Sequence, residues 1–253
     1  MISACLTIHN RSAAVSRQVA DSFRLPGNQP DEMIIVLDRA TPEAEEGAAE
    51  AYTDFEFPVK FVIIQGPPGW ICPAAAWNAA YQAASGNTLF CTSSEVVQDA
   101  HNVQKAQEIC KNDDTIVFGA CHNSEKTNLV TGAEPGLLVS SKMPRPLGFI
   151  ACVPAKNMYE VGGNDLEFMK GLWYEDDDLY LRLWRTGLNF QFNDAIHGTH
   201  LDHPRPDLDT PTGQAKIATN QAYMIKKHGL AHPWPSLIRL EQRQEGKLTW
   251  MHV

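Results

Sequence analysis

The run Tyr174-Glu175-Asp176-Asp177-Asp178-Leu179, followed by Arg182, Arg185 and Gly187, sets four carboxylates side by side. Adjacent acids repel one another, and burying them without cations is costly. One account is a solvated helix start, where acids favour the positive end of the dipole and Asp178 pairs with Arg182 one turn on. The flanking Trp173, Tyr174 and Leu179 supply apolar walls and argue against full solvation. A second concentration of reactive groups lies in Asp194-Ala195-Ile196-His197-Gly198-Thr199-His200-Leu201-Asp202-His203, after a short strand-like run from Leu188 to Phe192. It reads as a polar loop whose imidazoles are either ligands or incidental, and its spacing matches no common zinc pattern.

These groups need a scaffold, and the amino-terminal half predicts one. Ile2 to Ile8 is a buried strand that delivers the polar turn His9-Asn10-Arg11-Ser12. Residues 13–23 have helical spacing at Val15, Val19 and Phe23, and Pro26-Gly27-Asn28 ends that helix. Strands follow at Met33 to Leu37, ending on Asp38, at Val59 to Ile64 and at Thr88 to Thr92. Helices at 43–52 and 73–84 lie between them, the latter opening on Pro73 after a Gly66-Pro67-Pro68-Gly69 loop. Alternating helices and near-continuous apolar strands predict a mostly parallel sheet with helices on both faces. Ligands of such sheets bind beyond the carboxyl ends of the strands, where His9 to Arg11, Asp38 and Ser93 to Glu95 sit. The second half is less regular: strands at 115–121 and 147–153 flank a loop or hairpin, a helix runs from Tyr174 to Arg185, and another lies around 212–228.

Composition narrows the partners. With 21 basic and 30 acidic side chains the net charge is −9, which disfavours a polyanionic backbone; nucleic acid is an improbable partner, though a modified base stays open as an acceptor. Six dispersed cysteines without a CxxC pair fit a reducing cytoplasm. No apolar run approaches the ~20 residues that span a bilayer, and the first residues do not form a signal peptide.

Several segments together resemble family 2 type glycosyltransferases with the GT-A fold. Gly162-Gly163-Asn164-Asp165-Leu166-Glu167-Phe168 and Tyr174-Glu175-Asp176-Asp177-Asp178-Leu179-Tyr180-Leu181-Arg182, then Gly187, are similar to that family's "GGxDExF…EDxDLxxR…G" segment. Leu6-Thr7-Ile8-His9-Asn10-Arg11 resembles its first strand and turn, and Ile34-Ile35-Val36-Leu37-Asp38 its "IIVVDD" strand. Gly69, then Trp77-Asn78-Ala79-Ala80 and Ala84-Ser85-Gly86, resembles its "G…ARNxG…A.G" helix, with Trp77 in the place of the Arg. The resemblance covers roughly residues 2–100 and 147–203. It implies one Rossmann-like GT-A domain over 1–253. Within it, about 1–100 is a nucleotide-binding half, about 101–203 a smaller acceptor-side and catalytic subregion, and 204–253 a tail.

The resemblance also implies roles. The product would be transfer, with inversion, of a sugar from a nucleoside diphosphate (UDP is the commonest in the family) to a hydroxyl acceptor. Thr7, His9, Arg11, Asp38, Asn78 and Ser94 would contact the nucleotide. Asp176 would be the general base, Glu175 would hold an acceptor hydroxyl or organise its loop, and Trp173 and Tyr174 would meet the sugar. Relatives carry an Asp-x-Asp metal motif after the fourth strand; here Ser93 replaces the first acid and Glu95 stands at the second. Glu95 can hold Mg²⁺ or Mn²⁺ through oxygen, and His200 fits best as an added ligand, ahead of His197 and His203; imidazole suits Mn²⁺ better than Mg²⁺. Two other classes compete. One is an inactive GT-A-like protein that binds sugar nucleotides or glycans, against which the intact Glu175-Asp176 pair argues. The other is a nucleotidyltransferase, which would need a Gly-rich basic loop that His9-Asn10-Arg11-Ser12 does not supply.

Overall fold

The computed structural model describes residues 1–66, 72–124, 136–203, 210–230 and, for the backbone alone, 248–251. Gly69 and its neighbours, and most of the tail's Pro-rich loops, lie outside the described residues. The strands are β1 (Ile2–Ile8), β2 (Glu32–Asp38), β3 (Val59–Ile64), β4 (Thr88–Thr92), β5 (Val96–Gln98), β6 (Thr115–Asn123), β7 (Leu137–Val139), β8 (Ile150–Pro154), β9 (Asn189–His200) and β10 (Leu248–Met251). The helices are α1 (Ala13–Ser22), α2 (Pro42–Ala51), α3 (Ala74–Ala83), α4 (Asn102–Cys110), α5 (Ala155–Glu160), α6 (Glu175–Arg185) and α7 (Pro211–His228), with a 3-10 turn at Leu166–Lys170.

One sheet runs in the order β10-β9-β6-β8-β4-β1-β2-β3, with β5 on β9 and β7 on β6. β1 is paired in parallel with β2 and β4, and β2 with β3. β8 alone on the main path is antiparallel to both its neighbours, β4 and β6. The runs in β1, β2 and β4 are buried on both faces, as a helix-covered parallel sheet requires. β3 is the edge, and its Phe61 and Ile63 are exposed. Helix starts follow local chemistry: the hydroxyls of Ser12, Thr41 and Thr210 accept from the third residue on, and Pro42 and Pro211 open their helices.

Two sequence expectations change. The strand expected over 147–153 starts at Ile150, because Leu147 to Phe149 turn away to meet other groups, as described below. The run expected to stop at Phe192 continues as β9 to His200, so His197 and His200 stand in a strand rather than a loop. The cause is pairing: β9 is flanked by β6 and β5 and passes an irregularity opposite Gly119 and Ala120, after which Ala120 aligns with His197.

A buried acid ties β1, β2 and β3 to the end of α3. Glu32 accepts from the Ser3 hydroxyl (2.6 Å), the Ser85 amide (2.5 Å) and Lys60 (2.7 Å). Burial alone would raise its carboxyl, but these donors hold it down at about 2. Glu32→Ala strands the Ser3 and Ser85 donors, so urea melts should show a loss of about 2–4 kcal/mol; an unchanged midpoint would remove this clamp from the account.

Candidate active site

The polar turn after β1 and the segment after β4 meet at the carboxyl ends of the strands. Arg11 Nε donates to Glu95 Oε2 across 3.1 Å, and the Ser94 hydroxyl donates to the same oxygen at 3.0 Å. The other oxygen, Oε1, faces His200 Nε2 at 3.5 Å and His203 Nε2 at 3.4 Å. Burial pushes the Glu95 carboxyl up, yet the two imidazoles and the Arg11 guanidinium win and hold it well below the usual carboxylate range. Among the described residues, Glu95, His200 and His203 are the one group of three or more metal-ligating types whose donor atoms all lie within 4.8 Å of one another.

Those separations fit an ion. Charge-assisted hydrogen bonds run at about 2.7–2.9 Å, whereas ligands with bonds of about 2.1 Å around one ion stand roughly 3.0–3.4 Å apart. His200 is buried, its Nδ1 has no hydrogen-bond partner among the described residues, and the edge of its ring meets Phe149 at 5.5 Å between centroids and 88° between planes. His203, a rival in the sequence, therefore joins His200. His197 does not. Side chains alternate along a strand, and His197 leaves β9 away from His200 to face Asp99 (2.9 Å) and His122 (2.7 Å).

The carboxylates at the start of α6 separate into two groups. Asp178 is fully buried and structural, held by Arg182 (2.7 Å), Lys227 (2.6 Å) and His228 (2.8 Å). The expected pair with Arg182 is present, but it is buried rather than solvated. Arg182 also donates to the carbonyls of Val161 (2.6 Å) and Gly163 (2.7 Å). Lys227 and His228 come from α7, fifty residues downstream of the cluster, and no local signal points to them.

Among the described residues, Glu175, Asp176 and Asp177 make no such close ion pairs. Burial, then the Asp176 charge, pushes Glu175 up to about 8. Asp177 rises to about 7 for the same two reasons, partly offset by Arg145. Asp176 is raised by burial and eased by the Gly148 amide, which donates to its Oδ2 at 3.1 Å. The next residue, Phe149, is the one against His200, and its carbonyl accepts from the Ser93 amide (3.2 Å) and the Thr92 hydroxyl (2.9 Å). Two consecutive residues thus join the Asp176 carboxylate to the Glu95–histidine cluster.

Backbone strain presents this cluster. Trp173 and Tyr174 are successive non-glycine residues in the left-handed region (φ 65° and 69°), a costly arrangement typical of functional sites. Asn220 of α7 holds the turn by donating to the carbonyls of Phe168 and Trp173, both at 2.8 Å. The indole of Trp173 is left 47% exposed, while Tyr174 is 8% exposed and packs in the core. Raised carboxyls bind protons in the folded state, so their stabilisation is present at low pH and fades as pH climbs through about 7 to 8. The melting temperature should therefore fall between pH 5 and pH 8.5, and Glu175→Gln should melt above the parent at pH 8.5 while matching it at pH 5; parallel melting curves would contradict this.

The other expected contacts have occupants of their own. His9 Nδ1 lies 2.7 Å from the Asp38 carbonyl. The Asp38 carboxylate is buried and paired with its neighbour Arg39 at 2.6 Å. Thr7 is partly buried near the end of β1. Asn78 uses both ends of its amide on Asn164, at 2.7 and 2.8 Å, beneath a turn in which Gly162 and Gly163 both have positive φ; a side chain on Gly163 would strike Asn78.

A curled, mostly parallel sheet flanked by helices, with these groups beyond its strand ends, is the fold of GT-A glycosyltransferases. No protein-family model and no curated protein sequence matches the chain, so the likeness is one of structure. GalNAc-T7, crystallised with UDP, GalNAc and Mn²⁺, superposes with a TM-score of 0.63 at 12% identity, over 99% of this chain and 55% of that one. The mannosyltransferase PcManGT from Pyrobaculum calidifontis, in complex with GDP-Man and Mn²⁺, gives 0.59 at 13% identity, over 96% and 79%. Residues 1–349 of TarS from S. aureus give 0.57 at 11%, over 80% and 58%. The chain thus spans little more than half the length of two of these proteins. Among its described residues no helix is long and apolar enough to cross a membrane.

Proposed function

We propose that the protein is an inverting glycosyltransferase that moves a sugar from a nucleoside-diphosphate sugar, UDP-sugar first among the candidates, to a hydroxyl acceptor. The observation that carries this reading is the bridge of Gly148 and Phe149 between Asp176 and the Glu95–His200–His203 cluster. An inverting transfer needs both at once: a base beside the attacking hydroxyl and positive charge beside the departing diphosphate.

Asp176 is the base. Its carboxylate is oriented by the Gly148 amide, which donates to Oδ2 at 3.1 Å, while burial and the neighbouring acid push Glu175 up to about 8, so that it carries a proton at neutral pH. Glu175 then donates to an acceptor oxygen, and Trp173 offers an exposed ring face for a sugar. Glu95, His200 and His203 hold a divalent ion, with Mn²⁺ favoured over Mg²⁺ by the imidazoles. When bound, such an ion neutralises charge on a diphosphate oxygen. Thr7, His9 and Arg11 meet the nucleotide side, together with Asp38, whose carboxylate is paired with Arg39. Asn78 and Ser94 serve by bracing: one supports the Gly162–Asp165 turn, the other orients Glu95. The acceptor, an oligosaccharide, lipid-linked sugar, protein side chain or modified base, approaches from the Trp173 side.

A thermal-shift panel tests this reading. At a hundred times its dissociation constant a ligand adds about 2.7 kcal/mol, roughly 5–10 °C for a chain of this size. UDP with Mn²⁺ should reach that range, with GDP and dTDP as the competing donors, and UDP-sugar hydrolysis should follow the same metal dependence. If no nucleoside diphosphate shifts the melt, with or without Mn²⁺, the sugar-transfer reading fails; a shift without any turnover would favour a binding protein.

A further inference from the structure

A second set of ligand-type side chains lies apart from the Glu95 cluster. Asp99, just beyond β5, places Oδ2 2.9 Å from His197 Nδ1, and His197 Nε2 lies 2.7 Å from His122 Nδ1. A carboxylate accepts only, so in the neutral ring the His197 proton sits on Nδ1 and the Nε2 lone pair points at His122. That is the arrangement in which a carboxylate fixes the tautomer of a metal-binding histidine from behind.

The support is rigid. His197 is clamped through its backbone: Asn102 Nδ2 donates to its carbonyl at 2.6 Å, its amide donates to Asn102 Oδ1 at 3.1 Å, and the Asp99 amide donates to the same carbonyl at 3.0 Å. His122 and His197 stand on neighbouring parallel strands, with Ala120 opposite His197 and His122 opposite Thr199. Sites on strands braced in this way hold their geometry better than sites on loops. The side chains of His197 and Asp99 are 30% and 62% exposed, which leaves room for an ion to enter and to keep water ligands.

We propose that His122 Nδ1 and His197 Nε2 form a second metal site, backed by Asp99, for a borderline transition ion such as Zn²⁺, Co²⁺ or Ni²⁺. Two nitrogens at about 2.0–2.1 Å from a tetrahedral ion stand roughly 3.3 Å apart, so the rings must part by about 0.6 Å in all. The ion takes the place of the proton between them: His122 changes tautomer, giving its Nδ1 proton to water while Nε2 takes one up, so that both rings bind the metal as neutral imidazoles. A donor pair made only of nitrogen selects against Mg²⁺ and Ca²⁺, which require oxygen. The site is open and two-coordinate from the protein, weaker than a closed structural zinc site. It is independent of sugar transfer, since none of its ligands belongs to the proposed catalytic groups.

Zn²⁺ titration by calorimetry tests it in a His200→Ala/His203→Ala background, which removes the Glu95 cluster. One equivalent should still bind, Mg²⁺ should not compete, and adding His122→Ala or His197→Ala should weaken Zn²⁺ binding at least tenfold. Asp99→Asn should weaken it less. Where a variant loses its fold by circular dichroism, Co²⁺ added to the unmutated protein supplies the second measurement: its contact-shifted proton resonances should include the ring protons of His122 and His197. The proposal fails if the double variant binds no Zn²⁺, if that binding survives both further changes, or if Co²⁺ shifts only His200 and His203.

Discussion

Asp176→Asn should leave the protein folded and reduce turnover by about 10²- to 10⁴-fold, the usual contribution of a positioned general base. The change is nearly isosteric, and the amide oxygen can still accept from Gly148, whose donor lies 3.1 Å from the native carboxylate. Stability should hold or increase, because burial already disfavours the charge being removed. Donor binding should also persist, since the Glu95–His200–His203 cluster is untouched. The informative pattern is therefore a fallen kcat with an unchanged UDP/Mn²⁺ thermal shift. Glu175→Gln makes the contrast: it mimics the protonated state that Glu175 keeps at neutral pH, so it should lose far less. Near-normal turnover of Asp176→Asn would remove the base from the mechanism, and loss of both turnover and the thermal shift would show that the residue acts on folding or donor binding.

The parts of this site that could be read from the sequence are those whose signal is local. β1, β2 and β4 are continuous apolar runs between turn residues, and their carboxyl ends announce His9, Arg11, Asp38 and Glu95. The four acids and Arg182 lie within one helix. What escaped depends on contacts made far along the chain. Arg11 meets Glu95 across 84 residues, and the Asp178 charge is balanced from α7 across 50. β9 looked like a loop beyond Phe192 because Asn193, Asp194 and Gly198 are poor strand formers; only β5 and β6 on either side keep it extended. That one misreading hid the alternation that separates His197 from His200 and leaves His203 as the partner. α4 escaped for a related reason: His101 at its start adopts a left-handed conformation and provides no side-chain cap, so the usual start signal is absent.

Glu95→Gln should abolish the Mn²⁺-dependent part of the UDP thermal shift and lower turnover by about 10²- to 10³-fold, the scale on which loss of a charge-stabilising group is felt. In the native site one carboxylate answers four cationic or polar partners: Oε2 takes Arg11 and Ser94, and Oε1 faces both imidazoles. The neutral amide cannot ligate a divalent ion through a charged oxygen, and its NH₂ group presents a donor to groups that are themselves donors. Arg11 would then lose the carboxylate that balances its charge, so the melting temperature should fall as well. The same change leaves a more positive pocket, which attracts a diphosphate without any metal. Weak UDP binding that no longer responds to Mn²⁺ is therefore the expected residue of function. If Mn²⁺ still strengthens UDP binding in Glu95→Gln, the ion is held elsewhere; if both UDP binding and turnover in the parent are indifferent to chelation, Arg11, His200 and His203 themselves supply the charge that receives the leaving group.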